Sequence, residues 1–475
     1  AQLGYSTTGQ SSLCIAAKEI PSNDKPWKKT QTWSNLPAIS NTVSDYQYLS
    51  KDTTGKYVGW DITELVKKRY KANDSNYSSF ALVNYNESTL NNKKCAKATI
   101  DQSNTNGKFK DGHPILQITY RDTRGIEDYY TNTSQSIGQA GTAYIGDYNN
   151  QLTLIKNDLS NNGSVMDFIL SHVYNSTVSY ANFTTDANMH TNRYTNMNIG
   201  SGWRLSVQET VVPFTIGSKK YYIYSDGDGT EHYFYYNDND KKYVDEDGLN
   251  LELAFWTASN GYQYITMQDK KGNQKVFING YLAKIQDSHQ NKIFLEYNGN
   301  SYDSSTTAWS PLPETSTSRP TNRVTGVVQV NNGSGITRIA TLSYGADNYL
   351  QRITDLAGRK TTFTYAEASG ANVKLLTQIQ HPDGTTADYK YQAGGYLTDA
   401  YDSKGKNGVQ YGYYGWPVLG ILYVTEYSKD SKNNIVTGAK MSLGYGDTHR
   451  KKFRDYGADA TANTDDDIVS YTTFD

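Results

Sequence analysis

Cysteine is nearly absent: Cys14 and Cys95 are the only two in 475 residues. A chain this long cannot be a disulfide scaffold on one possible bridge, and the two thiols could pair or stay as small buried hydrophobes. No run approaches the roughly 18 apolar residues that a membrane-spanning helix needs. Charge of one sign is also missing, with 46 basic against 48 acidic residues, well mixed. A nucleic-acid face would need a basic stripe with interleaved aromatics, so no such partner is expected. The densest basic run, Glu64 to Lys71, reads as the solvated face of a short helical turn that starts at Asp61 or Thr63.

Catalytic signatures are lacking too. The histidines at 113, 172, 190, 232, 289, 381 and 449 are scattered, with no H-E-x-x-H. Neither G-x-S-x-G nor a phosphate-binding G-x-x-x-x-G-K-[ST] occurs. The expectation is a protein that is not an enzyme. Acidic clusters do occur, at Asp226, Asp228 and Glu231, at 237–240, at 245–247 and at 465–467. Their hard oxygens suit calcium, and the first cluster is the metal candidate, although none completes an EF-hand loop and acidic hairpin tips are ordinarily solvated turns.

What the chain has in plenty is tyrosine and glycine, 42 and 39 residues, while only 36% of it is hydrophobic. A tyrosine ring covers apolar surface and keeps its hydroxyl for water or a polar partner, which suits a sheet that is wet on one or both faces. The tyrosines are also spaced. Leu350, Ile353, Asp355, Gly358 and Tyr365 stand at offsets 0, 3, 5, 8 and 15. The same offsets from Leu376 give Ile379, His381, Gly384 and Tyr391, and from Leu282 give Ile285, Asp287, Gln290 and Tyr297, where the glycine is lost. From Leu397 come Ala400, Asp402 and Gly405, with the aromatic displaced onto Tyr411 and Tyr413. Each copy reads as a β-hairpin: an Asp-led type I turn, glycine for the positive φ, then β-branched and aromatic residues. Lone hairpins are marginal in water, so the copies must pack on one another as a wall.

Three regions follow. Residues 1–122 alternate like strands of a β-sandwich. Trp33, Val58 to Val66, Ser78 to Glu87 and His113 to Asp122 resemble the later half of a DNRLRE domain, a jelly-roll-like module of bacterial surface proteins. Residues 123–199 are connecting strands and a long polar loop, and residues 200–475 are the hairpin array. From about Tyr144 the chain resembles an RHS or YD-repeat protein, on "VYNS" (Val173 to Ser176), "GSGWRLS" (Gly200 to Ser206), "DGDGTEHYF" (Asp226 to Phe234) and the repeat copies.

That resemblance implies an all-β chain, a sandwich part followed by a spiralling antiparallel shell. It further implies a bacterial surface or secreted protein whose shell encloses or presents a C-terminal toxin domain of the same polypeptide. The family's core motif around Asp-Pro-x-Gly does not occur. Both ends are therefore expected to fall inside structural units, with enclosure and release belonging to sequence elsewhere. The alternative reading is a glycan- or cell-wall-binding module whose aromatics, among them Trp27, Trp33, Trp256, Trp309 and Trp416, stack on sugar rings.

Overall fold

The structure is a computed structural model that describes residues 3–7, 12–20, 38–50, 58–66, 79–84 and 96–100, then 124–127, 130–147, 149–161, 166–178, 198–216, 219–257, 263–297, 302–303, 308–309, 323–332, 335–369, 373–414, 420–446, 450–455, 459, 461 and 464–473. It is nearly all β and antiparallel. Two compact units divide it, residues 1–120 with 216–218, and residues 121–215 with 219–475. The connecting stretch and the hairpin array thus belong to one unit.

In the first unit, Ser12–Ile20 is flanked by Val43–Ser50 and Ser79–Asn84, and Leu3–Thr7 pairs with Ala96–Ile100. Residues 63–66 form one helical turn, begun by Asp61, whose carboxylate accepts the Thr63 N–H at 2.9 Å. Cys14 is a buried free thiol, and burial pushes its pKa up. Cys95 lies outside the described residues, as do Trp33 and the closing His113 to Asp122 stretch.

The second unit holds a five-stranded sheet, from Asn132–Ser136 to Trp203–Leu205, and a 21-stranded sheet from Thr210–Ile216 to Ile468–Thr473 in chain order. No described residue of 200–475 is helical. One continuous apolar core runs through both sheets, from Ile137, Leu154 and Trp203 to Leu282, Leu350, Leu397 and Leu443.

The repeat is visible as a repeated turn. At Asp226, Asp269, Asp287, Gly345, Asp355, His381 and Asp430, the N–H three residues on donates to the carbonyl of the first residue, and the first residue's own N–H donates to the carbonyl four residues on. The residue at the fourth position is left-handed every time: Gly229, Gly272, Gln290, Asn348, Gly358, Gly384 and Asn433, with φ between 63° and 97°. This is a type I turn closed by a bulge, the usual three-residue hairpin connection. The leading aspartate locks it. In the Asp287 turn its Oδ1 accepts from the N–H of His289 and Asn291, and Asn291 Nδ2 donates to Oδ2 at 2.7 Å. Gln290 therefore occupies the glycine conformation without the glycine. In the Asp402 turn, by contrast, the left-handed residue is Lys406 (φ 53°) rather than Gly405.

The closing tyrosine sits at a second irregularity. Pairing slips by one residue just before Tyr297, Tyr344, Tyr365, Tyr391 and Tyr413. Tyr344, Tyr365, Tyr391 and Tyr413 then stand opposite Leu350, Leu376, Leu397 and Ile421. A bulge leaves one residue outside the ladder and re-aims its side chain. Four of these phenols reach back one repeat, Tyr297 to the Leu282 carbonyl, Tyr344 to Val324, Tyr391 to Leu376 and Tyr413 to Leu397, at 2.6 to 2.9 Å.

The bulges also leave backbone N–H groups to be satisfied. Leu282 donates to the Glu209 carbonyl, Leu350 to Asn198, Leu397 to the Tyr174 hydroxyl and Ile421 to Asn150. The residues that open the repeats thereby fasten the large sheet to the segment that precedes it.

Candidate functional site

Three motifs far apart in sequence meet at the Asp226–Thr230 hairpin tip. Asn175, from "VYNS", donates its Nδ2 to the Asp228 carbonyl at 3.0 Å. Arg204, from "GSGWRLS", is fully buried; its Nη1 donates to Ser225 Oγ at 3.0 Å and its Nη2 to the carbonyls of Gln208 and Asp226. The glycines of "DGDGTEH" permit this closeness. A Cβ on Gly227 would lie 2.9 Å from the Ser206 carbonyl oxygen, and one on Gly229 would lie 2.7 Å from Asn175 Nδ2.

The turn itself is an acid-rich concentration of charge. Asp226 Oδ1 accepts from the N–H groups of Asp228, Gly229 and Thr230 at 3.0–3.1 Å. Asp228 Oδ1 accepts from the Thr230 hydroxyl at 2.7 Å, and its Oδ2 from the Ile126 N–H at 3.2 Å. Burial, and after it the Asp226 carboxylate, push Asp228 up to about 6. Glu231 faces Arg124 at 3.6 Å and accepts from the Tyr233 hydroxyl.

His232 follows on the strand and is 1% exposed. Its Nε2 lies 3.3 Å from Glu127 Oε1 and 3.5 Å from Asp226 Oδ2, while its Nδ1 lies 3.2 Å from Asp247 Oδ2. Burial alone would push the imidazole pKa down. The hydrogen bonds to Asp226, Asp247 and Glu127 outweigh it and hold it up to about 11. Tyr224 stacks on the ring at 5.5 Å between centroids.

Of the metal candidates read from the sequence, only Asp226 joins a convergent group. Glu127, Asp226 and His232 hold their ligand atoms within 4.8 Å of one another, the only such set among the described residues. Asp228 points to Ile126 and Thr230, and Glu231 to Arg124. Neighbouring residues of a strand face opposite sides of the sheet, so Glu231 and His232 do not serve one centre. Asp247 stood in the 245–247 acidic cluster, whereas His232 and Glu127 were not singled out as ligands, because the three come from separate segments.

A second buried polar group lies between the sheets. Lys156 Nζ and His172 Nδ1 both contact Asp158, the former at 2.7 Å, and all three side chains are buried. Burial pushes the Asp158 carboxyl up, but the opposing His172 and Lys156 outweigh it and hold it down to about 2. His172 stacks on Phe363 of the large sheet at 4.6 Å. Beside it, Asp158, Ser160, Asp355, Arg359, Thr361 and Pro382 help to line an open recess of about 210 Å³.

Among the tryptophans expected as ring platforms, Trp27, Trp33 and Trp416 lie outside the described residues, as does the side chain of Trp309. Trp256 is 51% exposed and stacks on Tyr264 at 3.8 Å.

No family model and no curated protein matches the chain. Among solved structures it is similar to the crystal structure of TcdB2-TccC3-Cdc42, at 12% identity and a TM-score of 0.26 over 70% of this chain and 15% of that one. It is also similar to the Photorhabdus luminescens Tc holotoxin pore, at 11% identity and a TM-score of 0.26 over 69% of this chain and 14% of that one. The chain spans about 15% of the length of the solved chains it resembles.

Proposed function

We propose that this chain is a structural portion of a bacterial surface or secreted protein, a wall that encloses or presents another domain of its own polypeptide. The observation that supports this most is the repetition: one turn geometry recurs at seven hairpins, and one phenol-to-carbonyl bond recurs at Tyr297, Tyr344, Tyr391 and Tyr413. Catalytic folds vary their loops to build a pocket, whereas here seven connections repeat one conformation. No reaction is assigned to the chain, and its partner is the remainder of the same polypeptide. Electron cryomicroscopy of the intact polypeptide tests the reading. Density for a further domain within a volume bounded by this sheet is expected; a sheet with both faces in bulk solvent and no enclosed or presented domain would overturn it.

One observation favours a second reading, glycan binding. Trp256, half exposed beside Phe255 and backed by Tyr264, has the ring exposure that a sugar-stacking platform needs. A glycan array with wild type and Trp256→Ala decides it: binding lost in the variant supports this reading, and no binding by the wild type removes it.

A further inference from the structure

We propose that Glu127, Asp226 and His232 bind a zinc-type divalent cation, which clamps the 124–127 segment onto the Asp226–Thr230 hairpin. The spacing carries the argument. Zinc bonds to imidazole nitrogen and carboxylate oxygen are about 2.0–2.2 Å long, and a tetrahedron of such bonds sets its ligand atoms about 3.3–3.5 Å apart. His232 Nε2 lies 3.3 Å from Glu127 Oε1 and 3.5 Å from Asp226 Oδ2.

The donor set selects the ion. Calcium and magnesium take oxygen ligands, whereas a buried imidazole beside two carboxylates suits zinc. Each ligand is also aimed by something else. Asp247 accepts from His232 Nδ1, the outer carboxylate that fixes a metal-binding imidazole with its Nε2 lone pair toward the ion. Three backbone N–H groups hold Asp226 Oδ1, which leaves Oδ2 to the centre. Glu127 is brought in by the Ile126 N–H on Asp228 and by Arg124 against Glu231. A fourth position remains for water.

Isothermal titration of chelator-stripped protein with zinc chloride, and separately with calcium chloride, tests the proposal. One equivalent of zinc is expected, with affinity about 10–100-fold lower in Asp247→Asn. Zinc binding is expected to be lost in His232→Gln and in Glu127→Gln. X-ray absorption at the zinc edge should show one nitrogen among oxygen neighbours. Circular dichroism checks each fold, and Glu127→Gln, which leaves the sheet intact, decides the matter if His232→Gln unfolds. Absence of stoichiometric zinc, calcium bound in preference to zinc, or zinc retained by a folded Glu127→Gln would each overturn it.

Discussion

The phenol of Tyr297 donates to the carbonyl of Leu282 at 2.6 Å, joining the last residue of a repeat copy to its first. Tyr365 occupies the equivalent place, but its buried hydroxyl has no hydrogen-bond partner. The pair gives an internal control. Tyr297→Phe should cost about 0.5–1.5 kcal/mol, and Tyr365→Phe should be neutral or slightly stabilising. Urea denaturation of both variants measures the difference, and equal losses would show that the bond is incidental.

The shared turn predicts opposite effects at equivalent positions. Gly358 has φ 77° and open space around its Cα, so Gly358→Val should cost about 1–3 kcal/mol from backbone strain alone. Gln290 already bears such strain at φ 70°. Gln290→Gly should therefore raise stability by about 1 kcal/mol, read as a higher thermal midpoint.

Arg204→Lys keeps the charge and loses the fork that serves Ser225, Gln208 and Asp226 together. A loss of about 1–3 kcal/mol is expected from buried carbonyls left without donors. Hydrogen exchange at the Asp226–Thr230 turn should rise in this variant and stay unchanged at the distant Asp430 turn.

Acid should weaken the contact between the sheets. The Asp158 carboxyl titrates near 2 when folded, below its ordinary 3.8, so its contribution is present above the unfolded value and disappears as pH falls through about 2. Stability measured from pH 5 downward should decline more steeply in the wild type than in Asp158→Asn. Parallel declines would mean that Lys156 and His172 do not hold the carboxylate charged.

Much of the wall could be read directly. The Leu, Asp and Gly offsets marked hairpins because a turn needs a particular backbone at a particular place, and that demand is local. The reason for the tyrosine at offset 15 was hidden, since the bond to the first leucine depends on a bulge between strands. The Asp430 turn did not stand out because its flanks lack the Leu and Tyr frame, although its side-chain bonds repeat those of Asp287. At the candidate site, Asp226 was legible from its acidic neighbours. Glu127 was not, and Asp247, although part of the 245–247 acidic cluster, gave no sign of its partner, because only folding brings both to His232.

The first strand of the large sheet, Thr210–Ile216, pairs back onto Tyr281, and Val211 and Leu282 add backbone bonds to Gly280 and Glu209. A strand from elsewhere would have to displace these bonds to add alongside Thr210 and Val211. The opening of the first strand is thus already stitched to a later one, like a zipper whose lower end is sewn shut.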